Sequence, residues 1–119
     1  MITLATLKDA TAQEVFEQSA KHLLKQNAKS ILVVKNEKTC MYRHEGLSCA
    51  AGCFISDEEY KTEMEAHTWD NLAAYDKVPN KHIELIKQLQ NIHDMSDVEN
   101  WKNNLINLAK KQKLDYSFI

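Results

Sequence analysis

Cys40, His44, Cys49 and Cys53 stand at the spacing Cys-x3-His-x4-Cys-x3-Cys, and all four are ligand types that zinc selects. Structural zinc sites usually rest on a tight Cys-x2-Cys knuckle, whereas Cys49 and Cys53, four apart, need a helical turn to converge on one ion. The stretch admits a second chemistry, that of a small cysteine-dependent enzyme. A thiol near a helix N-terminus has a lowered pKa and is activated by a histidine from elsewhere, and Cys49 is the candidate. The third reading is packing. A buried free cysteine behaves as a small hydrophobe, and the neighbours Ala50, Ala51 and Gly52 favour that use.

Other residues suggest weaker chemistry. Glu59, Glu63 and His67 fall at i, i+4 and i+8, so a helix through His67 would align them as a metal stripe, with Asp57, Glu58, Glu65 and Asp70 nearby; a solvated helix face explains the same pattern. His82 and His93 share a helix face but stand about 16 Å apart along its axis, too far for joint acid–base work. His93-Asp94 reads instead as a helix-end pair in which a histidine cation would favour the C-terminus. Lys102, Lys110, Lys111 and Lys113 make the last helix basic, which suits a helix C-terminus and, less directly, nucleic-acid phosphates. Arg43, His44 and Glu45 are expected at an exposed turn, where they would offer charge to a partner.

The elements that must position these groups are mostly helices. Thr11-Ala-Gln-Glu14 has the form of a capping box, and Ala12, Val15, Phe16, Ala20, Leu23 and Leu24 follow at helical spacing up to a stop at Asn27. Residues 30–35 and 39–43 read as two strands joined by a turn at Asn36-Glu37. Residues 47–55 suit a short buried helix. Ser56-Asp-Glu-Glu59 and Ser96-Asp-Val-Glu99 are further capping boxes, Thr68 caps a short helix with Trp69, Leu72, Ala73 and Tyr75 inward, and Pro79 sits in the first turn of a helix carrying Ile83 to Ile92. The last two helices should pair antiparallel, with Tyr116 or Phe118 docked against them.

Composition bounds the rest. At 119 residues the chain reads as one domain, 1–119, large enough to bury a core without staples. Two glycines and one proline favour long helices and argue against a phosphate-cradling loop. The net charge of −2 creates no global field toward nucleic acid or anionic lipid. No segment is apolar enough to span a bilayer or open as a signal peptide, so a cytoplasmic protein without a membrane partner is expected. Three cysteines there read as free thiols. The expected fold is α+β, mostly α: a small helical domain with one short β-hairpin packed on the helices.

Several stretches resemble a family of short uncharacterised proteins encoded in tailed-phage and prophage genomes. They are Ala10-Thr-Ala-Gln-Glu-Val-Phe16, Tyr42-Arg43, Gly46-Leu-Ser-Cys-Ala-Ala-Gly-Cys53, Asp57-Glu-Glu-Tyr60, Met64-Glu65, Val78-Pro79, Ile92-His-Asp94 and Trp101. The similarity spans nearly the whole chain, and Gly-Leu-x-Cys-Ala-x-Gly-Cys is its most specific part. His44 departs from the smaller, turn-like residue of the family. The resemblance implies a bacterial or phage cytoplasmic setting and no particular chemistry. With no triad, phosphate loop or standard metal knuckle, the leading expectation is a non-enzymatic interaction module that binds a host macromolecule, most simply a host protein. The alternatives are a metal-binding or cysteine-dependent enzyme centred on Cys40, His44, Cys49 and Cys53, with zinc as its metal, and a nucleic-acid-binding accessory protein. Trp69, Trp101 and the aromatic tail could bury themselves within one chain or across a dimer interface, so the oligomeric state stays open.

Overall fold

In the computed structural model, which describes residues 1–119, Thr11 and Glu14 close the capping box in both directions. The Glu14 N–H donates to the Thr11 hydroxyl at 3.1 Å, and the Thr11 N–H donates to the Glu14 carboxylate at 2.8 Å. This starts α1, Ala12–Gln26, which turns Val15, Phe16, Ala20 and Leu23 into the core and stops where Asn27 adopts the left-handed conformation at φ 52°.

Strands β1 (Ile31–Val34) and β2 (Glu37–Cys40) form an antiparallel hairpin in the register Ile31↔Cys40, Leu32↔Thr39, Val33↔Lys38 and Val34↔Glu37. Its turn is Lys35-Asn36, one residue earlier than the sequence suggests. Both turn residues have positive φ (51° and 68°), the conformation whose twist matches that of the flanking strands. Met41 N–H then donates to the Ser30 carbonyl, and the chain turns inward at Tyr42, so the expected second strand ends before Arg43.

Residues 47–55 do not form the expected helix. Arg43–His44 (β3) and Leu47–Ser48 (β4) make a second, two-residue ladder around a Glu45-Gly46 turn with φ of 50° and 82°. The cause lies in α1. Gln26 clamps the Ser48 backbone on both sides, its amide donating to the Ser48 carbonyl at 2.8 Å and accepting from the Ser48 N–H at 3.1 Å, which holds the segment extended. Only Gly52–Phe54 coils, as a 3-10 turn. Gly52 passes so close to Tyr42 that an added Cβ would lie 2.2 Å from the Tyr42 carbonyl oxygen.

The Ser56–Glu59 box also closes, at 3.3 and 3.0 Å, yet no helix follows it. Glu59 also accepts from the Leu4 and Ala5 amides at 3.0 and 2.9 Å, which ties it to the N-terminal segment, and a 3-10 turn at Thr62–Met64 is the only coil before Thr68. Thr68 caps α2, Trp69–Ala74, with Trp69 and Leu72 buried, while Tyr75 turns out to solvent rather than inward. Helix α3, Ile83–Met95, begins after Pro79, at a left-handed His82. Helix α4, Trp101–Gln112, is entered through a 3-10 turn at Val98–Asn100, and the Ser96 hydroxyl accepts from Asn104 at 2.7 Å instead of capping. That bond and Gln112 to Gln88, at 3.0 Å, fix α3 and α4 antiparallel.

One contiguous core joins these elements around Leu7, Phe16, Leu23, Phe54, Ile86, Leu89, Trp101 and Leu105, all fully buried. Trp69 and Trp101 bury their indole N–H without a partner, a polar cost that their packing must offset. Phe118 docks edge-on against Phe16 with ring centroids 5.8 Å apart, and Tyr116 stays at the rim. The architecture is the mostly helical α+β domain expected, with two hairpins instead of one. The first packs on the helices only by its base. No helix is long and apolar enough to cross a membrane.

Candidate functional site

The four sequence-predicted ligands do not converge. Cys49 is fully buried, its sulfur accepts from the Gly52 N–H at 3.3 Å, and burial pushes its thiol up to about 12. It is therefore a packed, protonated thiol, not the nucleophile that the sequence admits. Cys53 donates to the Ala50 carbonyl at 3.2 Å, and burial raises its pKa as well. His44 lies on β3 with Nε2 4.0 Å from the Glu45 carboxylate. Ala50 and Ala51 are fully buried, so the Gly-Leu-x-Cys-Ala-x-Gly-Cys stretch is explained by a tight turn, small packed side chains and one close backbone approach.

Cys40 meets other partners. Its sulfur, one His93 ring nitrogen and an Asp94 carboxylate oxygen all lie within 4.8 Å of one another, bringing the end of β2 to the last turn of α3. His93 is fully buried and stacked on Trp101, with centroids 5.5 Å apart and planes at 28°. Ser30 N–H donates to Nε2 at 3.0 Å, so that nitrogen carries no proton, and Nδ1–H donates to Asp94 at 2.7 Å. The expected helix-end cation is thus a neutral ring with both nitrogens in use. Gln90 completes the hub by donating to the same Asp94 oxygen at 2.7 Å and accepting from Ala51 N–H at 3.0 Å.

A Cys-His-Asp triad this is not. Burial, followed by a hydrogen bond to the Asp94 carboxylate and its charge, pushes the Cys40 thiol up to about 12. A nucleophilic thiolate needs the opposite shift. A metal is equally ill served, because the ring lone pair it would need is spent on the Ser30 amide. The cluster is a buried polar joint between β1, β2, α3 and the Cys49–Gly52 segment.

The remaining candidates are also committed to the fold. His22 Nε2 lies 3.0 Å from the Ser48 hydroxyl, within an open groove of about 1490 Å³ between α1 and residues 43–60, but it also contacts the Ser48 carbonyl at 2.9 Å. A carbonyl only accepts, so Nε2 carries the proton and is no base toward that hydroxyl. Glu59 is saturated by backbone amides, Glu63 stands in solvent, and with no helix through His67 the metal stripe does not form. Glu65 accepts from the Tyr42 and Arg43 amides at 2.8 and 3.1 Å and from the Tyr60 hydroxyl at 2.6 Å. Arg43 is tied to Asp57 at 2.5 Å and to the Ile55 carbonyl, and lies over the Tyr60 ring; of the predicted Arg43-His44-Glu45 turn, only Glu45 stands free in solvent. His82 binds the Ala10 carbonyl at 2.7 Å. Lys102, Lys110, Lys111 and Lys113 are exposed on α4 and its cap, with Lys110 over the Tyr116 ring at 5.8 Å.

What sequence reasoning missed is the arm. Residues 33–39 are all exposed, with Val33 at 55% and Val34 at 53%. The signal was present in the β-branched run Ile-Leu-Val-Val, which reads as core until the hairpin is seen to leave the body.

No protein-family model, no curated protein and no solved structure matches this chain.

Proposed function

We propose that the chain is a non-enzymatic interaction module, cytoplasmic in the phage or prophage setting of its sequence resemblance, that binds a host protein through the β1–β2 arm. The observation that carries this reading is the exposed tip of the arm, with two adjacent valines more than half open to solvent. A two-stranded ribbon is marginal in water, and an apolar strand edge invites pairing with another chain, so a partner that covers the tip gives it a use. The hydrogen bonds that hold Cys49, Cys53 and His93, and the raised thiol of Cys40 beside Asp94, take away the main support for the cysteine-centred enzyme and for zinc. The basic end of α4 carries no comparable apolar surface.

The test compares the parent with a Val33→Thr/Val34→Thr variant, which keeps β-branched residues while removing the apolar tip. Both are immobilised and exposed to bacterial lysate. The reading expects proteins retained by the parent and absent from the variant. Identical retention by both, or none by the parent, overturns it.

A further inference from the structure

The hairpin register determines which backbone groups of the arm are free. In an antiparallel ladder, alternate residues turn their N–H and C=O toward the partner strand and away from it. Ser30 is paired with Met41, and Val34 and Glu37 close the two-residue turn, so Ser30, Leu32 and Val34 face inward. Ile31 and Val33 therefore present their amides and carbonyls to the outer edge of β1, and Lys38 and Cys40 theirs to the outer edge of β2. None of these groups is hydrogen-bonded outside the hairpin.

The two edges differ in chemistry. β2 carries Glu37 and Lys38, and an edge lysine is a common device against unwanted pairing. β1 carries only Ile31, Leu32, Val33 and Val34, bracketed by Lys29 and Lys35, with Lys38 across from Val33 on the same face. None of these three lysines is in an ion pair with a carboxylate; Lys29 reaches only the Asp94 carbonyl, at 3.4 Å. Glu37 projects on the opposite face, beside Val34. A second copy would set lysines against lysines, whereas an acidic segment would meet complementary charge along the whole strand.

We propose that the outer edge of β1 accepts an extended, acidic segment of a partner protein as a third strand, with the segment's backbone bonding Ile31 and Val33 and its carboxylates reaching Lys35 and Lys38. This rests on the binding reading above and specifies its mode.

The probe is a capped eight-residue peptide alternating valine and glutamate, with a valine–lysine peptide as control. Two variants separate the edges. Val33→Pro removes an outward N–H from β1 without touching the ladder, and Lys38→Pro does the same on β2, with Lys38→Ala as the reference that loses the charge but keeps the N–H. The acidic peptide is expected to bind Lys38→Pro and Lys38→Ala with similar affinity, to lose about tenfold or more on Val33→Pro relative to the parent, and to outbind the lysine peptide. Amide exchange on the unmutated protein guards against a folding defect in the proline variant, since Ile31 and Val33 amides should be slowed by the acidic peptide. The proposal is overturned by absent binding, by about a tenfold loss on Lys38→Pro relative to Lys38→Ala, by equal binding to both proline variants without slowed exchange, or by a parent that dimerises through β1. If it falls while the threonine variant still fails to capture host protein, the arm binds by its side chains and only strand addition is lost.

Discussion

His93 Nε2 accepts the Ser30 backbone N–H at 3.0 Å across 63 positions of sequence, and through this bond the last turn of α3 holds the base of the β arm. His93→Phe keeps an aromatic ring against Trp101 but leaves the Ser30 N–H and one Asp94 acceptor site without their partner. Removing one side of buried hydrogen bonds exposes the other to its full desolvation cost, so denaturant unfolding should show a loss of about 2–4 kcal/mol. Added zinc should leave the thermal midpoint of the parent unchanged, because binding it would break the same bond.

The cysteines should react slowly. A thiol near 12, as for Cys40 and Cys49, holds far less thiolate at pH 8 than an ordinary cysteine, by roughly a factor of 10³. The greater nucleophilicity of a high-pKa thiolate offsets about half of that on a logarithmic scale. Alkylation followed by mass spectrometry should therefore find all three thiols slower than in the urea-unfolded chain by about 30-fold or more, with Cys49 slowest because it is also inaccessible.

Gly52→Ala should be severe for a single methyl group. The new Cβ would meet backbone, the Tyr42 carbonyl, and not a movable side-chain end. A loss of about 2–3 kcal/mol, or roughly 10 °C in Tm, is expected by calorimetry, whereas Ala at exposed Gly46 is strained only by its positive φ.

Glu65 joins residues that neither helices nor strands connect. Glu65→Ala would strip an acceptor from the Tyr42 and Arg43 amides and from the Tyr60 hydroxyl, costing about 2 kcal/mol in equilibrium unfolding. Glu65→Gln keeps one acceptor oxygen and should recover part of the loss.

Stability should fall on mild acidification through His22. Burial holds this imidazole below its ordinary 6.5, opposed by the hydrogen bond to the Ser48 carbonyl. Between the folded and unfolded pKa values the unfolded chain binds more protons, so the His22 contribution is whole above pH 6.5 and declines as pH falls through the folded value. The drop in Tm from pH 7.5 to 5.5 should be smaller in His22→Gln than in the parent; an equal drop would locate the effect elsewhere.

The sequence by itself determined the helices whose signals are local. The Thr11–Glu14 box, the apolar stripe from Val15 to Leu23, the Asn27 stop and the Ile83–Ile92 repeat act within a few residues, and each produced the element it predicted. It also favoured packing for Cys49, Ala50 and Ala51, since small apolar side chains beside glycine suit close approach, and their full burial agrees. Tertiary structure decided everything that a distant partner could outbid. Gln26 pulled Ser48 into a strand where composition favoured a helix, and the Leu4 and Ala5 amides tied Glu59 to the N-terminal segment where its closed capping box alone would have begun a helix. The grouping of Cys40 with His93 and Asp94, and the projection of Val33 and Val34 into solvent, depend on where α3 ends relative to the hairpin base. No spacing along the chain encodes that relation, because it arises only when the core has closed.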